Sequence, residues 1–134
     1  MTTKLLPSGK EFIARTLAGK YEPINYMYVE YGPSTITDVN DVSNEYFASL
    51  TNGGKQGFAR IAITNISVEG AKLTFFGMLT MDDFIGEAPN KDSKLTAVTI
   101  ASGKDSNSIN DTLIMTSTIG SSTKLIKGDR KSVV

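Results

Sequence analysis

A chain of 134 residues with 40% hydrophobic content is expected to form one domain, because a chain of this size buries about 68% of its unfolded surface around a single core. Its 14 basic side chains balance 14 acidic ones, so no net field draws it to nucleic acid or to an anionic membrane, and neither is an expected partner. The sequence holds no histidine and no cysteine, which excludes Ser-His-Asp and Cys-His nucleophile pairs, imidazole and thiolate metal sites, and disulfides. No catalytic residue, metal or cofactor is therefore expected, and an enzyme would be left with carboxylate, lysine or tyrosine chemistry.

The N-terminal stretch MTTKLLPSGKEF meets a proline and a charge before an apolar run can form, so neither a secretion signal nor a membrane anchor is expected. Ser8 and Glu11 have the spacing of a capping box and predict a helix over about 9–18. Phe12, Ile13, Ala14, Leu17 and Ala18 form its apolar face, Glu11 and Arg15 are spaced to pair, and Gly19 is placed to end it. The run INYMYVEYG then predicts a strand over about 24–31, with Ile24, Tyr26 and Tyr28 on one face and Met27, Val29 and Tyr31 on the other.

Gly32-Pro33 ends this strand, and a polar stretch leads to a second short helix over about 43–51, with Val42, Tyr46, Phe47 and Leu50 on its buried side. From about 58 to 134 short apolar alternations separated by turn residues predict antiparallel sheet. ARIAITNISV and AKLTFFGMLT flank Glu69-Gly70 as a hairpin, with Leu73, Phe75 and Leu79 facing one way and Phe76 and Met78 the other. Apolar residues on both faces suggest a strand held between two layers. KLTAVTIASG and DTLIMTSTIG are further strands. The expected fold is α+β, mainly β: an antiparallel β-sandwich-like single domain with an N-terminal helix and a second short helix.

Asp82, Asp83 and Glu87 cluster in one loop, but without the glycine and spacing of a calcium site they read as a solvated turn. In DSNSIND, residues 105–111, Ile109 stands where a calcium loop needs Asp or Asn. GGKQG, residues 53–57, lacks the glycine spacing and hydroxyl of a phosphate loop. The basic residues Lys124, Lys127, Arg130 and Lys131 surround Asp129 without interleaved aromatics and read as a solvated edge.

Three segments together, LAGKYEPINYMYVEYG, the NEYF helix at 44–47 and IAITNISVEGAKLTFFGMLT, resemble the N-terminal attachment domain of tail-fibre and tail-collar proteins of tailed bacteriophages. In that resemblance Tyr31-Gly32 stands at the family's glycine-containing turn, with Glu30-Tyr31 replacing its first glycine and aspartate. Asn44-Glu45 stands at its acidic pair, and Lys124 or Lys127 near its closing strand. The resemblance implies a non-enzymatic virion structural protein made in the host cytoplasm. Its partners would be copies of itself in a homo-oligomer and other tail or neck proteins, and a sequence ending at Val134 suggests a stand-alone adaptor, collar or baseplate component. Tyr26, Met27, Tyr28, Tyr31, Met78 and Phe84 are then the expected interface residues, since aromatics and methionine concentrate at interface centres. A carbohydrate- or peptide-binding sandwich module, with the tyrosines between 21 and 31 as a stacking platform, is the alternative.

Overall fold

A computed structural model describes residues 2–32, 39–50, 57–80, 83–85, 95–118 and 131–133. Its centre is the tyrosine-rich strand β2 (Tyr26–Tyr31), which pairs antiparallel with β3 (Gly57–Glu69) on one side and β6 (Leu95–Ser102) on the other. β6 continues to β7 (Thr112–Thr118), and β7 to the edge strand β1 (Thr2–Leu5). Beyond β3 come β4 (Lys72–Leu79) and β8 (Lys131–Val133), giving the order β1-β7-β6-β2-β3-β4-β8, and the short β5 (Phe84–Ile85) pairs with β3. The chain is thus mainly β, the described residues forming one curled antiparallel sheet of half-barrel form with two α-helices, α1 (Pro7–Leu17) and α2 (Asn44–Leu50).

The alternation read from the sequence assigns the two faces of β2, and neighbours on both sides bury both of them. Inside the curl, Met27, Val29 and Tyr31 meet Ala59, Ile61, Phe75, Leu79, Leu95, Val98 and Ile100. On the outer face Tyr28 meets Leu6, Phe47, Leu50, Phe58, Ala101 and Leu113. Ile24, expected beside Tyr26 and Tyr28, packs instead against the inner cluster, because β2 begins only at Tyr26 and the alternation does not reach back to it.

The outer face is covered by α2 and by Leu6, the residue before α1. Tyr28, Phe47 and Phe58 form an aromatic triangle with ring centroids 4.7, 5.3 and 5.1 Å apart, edge-on, stacked and tilted in turn. Such pairs add about 0.5–1.5 kcal/mol each beyond area burial, which fixes the seven-residue α2 that could not persist alone. Its expected buried side is present: Phe47 and Leu50 are buried, with Val42 and Tyr46 packed beside them.

α1 departs from the expected capping box. Pro7 occupies the first turn, Leu6 is the cap residue and no side chain caps the helix; the Ser8 hydroxyl donates instead to the Leu113 carbonyl on β7. Proline at that position presets helical φ and starts the helix about two residues earlier than Ser8 implied. Glu11 and Arg15 form no ion pair among the described residues, and Arg15 lies 6.0 Å from the Phe12 ring. Of the expected apolar face only Phe12 is buried, while Leu17 is 83% exposed. Gly9 explains the difference. A Cβ there would stand 1.9 Å from the Ile114 carbonyl oxygen, so the helix approaches β7 through its first turn and its later turns diverge from the sheet. Gly19, with φ +85°, ends the helix as the sequence implied.

The β3–β4 hairpin also follows the sequence, with Gly70 at φ +61° in the turn. A second layer over both faces of β4 is not shown: Met78 is 49% exposed, and what the described residues form is a half-barrel sheet. The short strands β1, β5 and β8 carry too few residues for periodicity to reveal them.

Candidate functional site

The described chain offers two features beyond its core, a buried polar node and an exposed apolar arm. The node is built where β2, β3 and the segment before β7 converge. Arg60, on the outer face of β3 opposite Tyr28, donates from Nε and Nη2 to the two carboxylate oxygens of Asp111 at 2.7 and 2.8 Å. The two side chains are 8% and 0% exposed. The Tyr28 hydroxyl donates to the same carboxylate and to the Ser108 carbonyl. Arg60 also donates to the Asp105 carbonyl and lies 3.6 Å above the Tyr26 ring.

Two amides complete the node. Asn44, at the start of α2, donates to the carbonyls of Ser108, Ile109 and Asp111. Asn25 exchanges two hydrogen bonds of 2.8 Å with the backbone of Gly103. Gly103 is required by this crowding, since a Cβ would stand 2.4 Å from Asp111 Oδ1 and 2.7 Å from Arg60 Nη2.

The electrostatics follow from enclosure. Burial and the Asp111 hydrogen bond and charge push the Tyr28 phenol above its usual value, so it stays a donor. Burial alone would lower the Arg60 guanidinium, but the Asp111 hydrogen bond and charge carry it upward, so Arg60 stays the charged donor of a bidentate pair. The node pins the 103–111 segment to the sheet and to α2, its polar groups facing one another rather than a substrate. A second enclosed carboxylate, Glu30, accepts from Tyr46 Oη at 2.6 Å, and burial raises its pKa against the opposing effect of that bond.

The residues singled out in the sequence are scattered through this arrangement. Met27, Tyr28 and Tyr31 are at most 2% exposed and are covered by their own chain, so as placed they present no surface to a partner. β2 is central, and each of its faces is covered by a core cluster. Tyr26 is half-buried beneath Arg60, and Phe84 packs edge-on to Tyr31 at 5.2 Å. Met78 alone of the six is exposed. Asp83 closes a turn by accepting from the Thr80 amide and hydroxyl, and Asp105 accepts from the Asn107 amide and the Asn110 side chain. Asp82, Glu87, residues 53–56, Lys124, Lys127, Asp129 and Arg130 lie outside the described residues. Among the described residues no group of three His, Cys, Asp or Glu side chains is placed to hold a metal ion.

Arg60, Asp111 and Gly103 were missed by sequence reasoning. The signal was there in FARIAI, a charge inside a run that reads as buried strand, which demands a buried partner. Nothing local identifies that partner as Asp111, 51 residues away.

The apolar arm is the second half of β3 with the first half of β4. β2 ends its pairing at Ala62, so from Thr64 to Glu69 β3 pairs only with β4 among the described residues. Register places Ile66 opposite Phe75 and Val68 opposite Leu73. This single ladder starts in the core at Phe75 and runs outward to Ile66, Leu73 and Val68, which are 40, 51 and 69% exposed. Beneath it, Thr3, Met27, Leu73, Phe75, Met115 and Ser117 help line a cleft of about 230 Å³. That is below the roughly 300–1,000 Å³ of ordinary small-molecule sites. Isolated exposed apolar residues such as Leu17 are ordinary on a surface, whereas Ile66, Val68 and Leu73 adjoin one another on a single face. No protein-family model, curated protein or solved structure matches this chain.

Proposed function

We propose that this chain is a non-enzymatic structural component of a tailed-phage virion, a tail-fibre, collar, baseplate or neck adaptor, that acts through protein–protein assembly. The observation that carries the reading is the exposed ladder of Ile66, Val68 and Leu73, which continues the core face out to solvent on a two-stranded arm. An assembly protein works by burying such a face, on the order of 1,600 Å² in a stable interface, and needs no catalytic group. The resemblance of its tyrosine strand, NEYF helix and hairpin to phage attachment domains supplies the virion context, and a chain without histidine or cysteine fits that role. In this reading the second layer of a sandwich-like arrangement comes from a neighbour packed over the Met78 face.

The alternative, a carbohydrate-binding platform of tyrosines, loses support from the burial of Tyr28 and Tyr31 and the covering of Tyr26 by Arg60. Purified virions probed with a gold-labelled antibody to this chain test the proposal. Labelling confined to tail or neck is expected, and particles that lack the chain would overturn it.

A further inference from the structure

We propose that the apolar arm is a self-association edge: β3 of one copy pairs antiparallel with β3 of a second copy about a two-fold axis at Ser67. The inference rests on the assembly reading and names its first partner as the chain itself.

Three observations carry it. The first is an edge guarded only at its tip. Natural sheets blunt exposed edges with charged side chains, lysine above all, or with proline, and β1 follows that rule with Lys4. The edge Thr64–Glu69, sequence TNISVE, has no lysine or proline, and its one charge, Glu69, stands at the end of the strand. The second is the exposed ladder on one face of that same edge, where Ile66 and Val68 stand two residues apart.

The third is self-complementarity of chemistry and register. A two-fold interface juxtaposes each residue with its symmetry counterpart's partner, so the patch must complement itself. Strand alternation restricts the axis to positions that keep both apolar faces on one side of the joined sheet. An axis on Ser67 sets Ile66 opposite Val68 of the second copy and Val68 opposite its Ile66. It also sets the Asn65 amide opposite the Glu69 carboxylate, a donor facing an anion, and neither side chain has a hydrogen bond or ion pair among the described residues. An axis on Ile66 or on Val68 leaves one apolar residue facing Thr64 or Gly70. Balanced charge, 14 against 14, adds no repulsion between copies.

The test uses the full chain, which has no cysteine of its own. Light scattering across a micromolar concentration range is expected to give twice the chain mass. Val68→Lys, which puts a charge on the edge, is expected to return it to one chain mass, while Ile109→Lys, the same charge change on an exposed residue elsewhere, leaves the dimer intact. Directly opposed residues have Cβ atoms about 4.5–5.5 Å apart, close to disulfide reach. Ser67→Cys is therefore expected to cross-link as a dimer on mild oxidation, far faster than Ile109→Cys. A wild-type monomer, a Val68→Lys dimer, or equal cross-linking of the two cysteine variants each overturns the proposal. Virions that carry a chain monomeric in solution would leave the assembly reading standing without this edge, and a Ser67-linked dimer absent from virions would do the reverse.

Discussion

Asp111→Ala removes the anion of the buried node, and its cost can be worked from the geometry. Arg60 is held by two charge-assisted bonds of 2.7 and 2.8 Å in a site where the two side chains are 8% and 0% exposed. Without Asp111 the guanidinium keeps the Asp105 carbonyl and the Tyr26 face, and Tyr28 keeps only Ser108. Breaking an enclosed pair on one side costs about 3–5 kcal/mol, because the remaining charge is left desolvated. Against a total of roughly 5–15 kcal/mol this is a large fraction. With a urea slope near 2 kcal/mol/M the midpoint falls by about 1.5–2.5 M. Arg60→Met and the double variant complete a cycle, in which the double variant is expected to lose about 1–3 kcal/mol less than the two singles summed. A loss below about 1 kcal/mol for Asp111→Ala, or additive singles, would refute the enclosed pair and describe a solvated one.

Gly9→Ala sets helix propensity against packing. Alanine favours a helix by up to about 1 kcal/mol over glycine, but the new Cβ meets the Ile114 carbonyl at 1.9 Å; thermal unfolding is expected to show a net loss of about 1–3 kcal/mol, and any gain would remove the close approach. Phe47→Ala empties the aromatic triangle and is expected to cost about 3–5 kcal/mol, with hydrogen exchange in α2 rising well before that in β2 and β6. Glu30 gives a pH dependence whose sign is fixed by its raised pKa. The folded state holds this proton more tightly than the unfolded chain, so the contribution is fully present below the ordinary carboxylate range and is lost as pH rises through the folded value. Glu30→Gln is therefore expected to match wild type in acid and to exceed it at neutral pH in urea midpoint; a variant weaker at neutral pH than in acid, relative to wild type, would contradict this.

Much of the chain's local structure was legible because its signals are short-range. Period-two alternation marked β2 and the hairpin, Gly70 and Gly19 marked turns needing positive φ, and Val42, Tyr46, Phe47 and Leu50 marked the inner side of α2. The start of α1 was misjudged because two cap signals compete within two residues, and Pro7 prevails over Ser8 once Ser8 finds the Leu113 carbonyl. The expected interface residues meet a different limit, since Met27, Tyr28 and Tyr31 are buried within the chain. Aromatic content identifies residues that leave water, but burial in one's own core and burial against a partner produce the same composition.

The sequence by itself determined a mainly β chain with two helices, the hairpin and its turn, and a chemistry without imidazole or thiolate, since each depends only on residue type and near neighbours. Tertiary structure alone decided that β2 lies between β3 and β6 with both faces covered, so that Tyr28 and Tyr31 are buried on opposite sides of the sheet. It also joined Arg60 to Asp111 across 51 residues and left the Ile66–Val68–Leu73 ladder without a covering layer among the described residues. Those outcomes depend on which strands become neighbours, and strand neighbours are chosen by the burial of whole faces rather than by any local pattern.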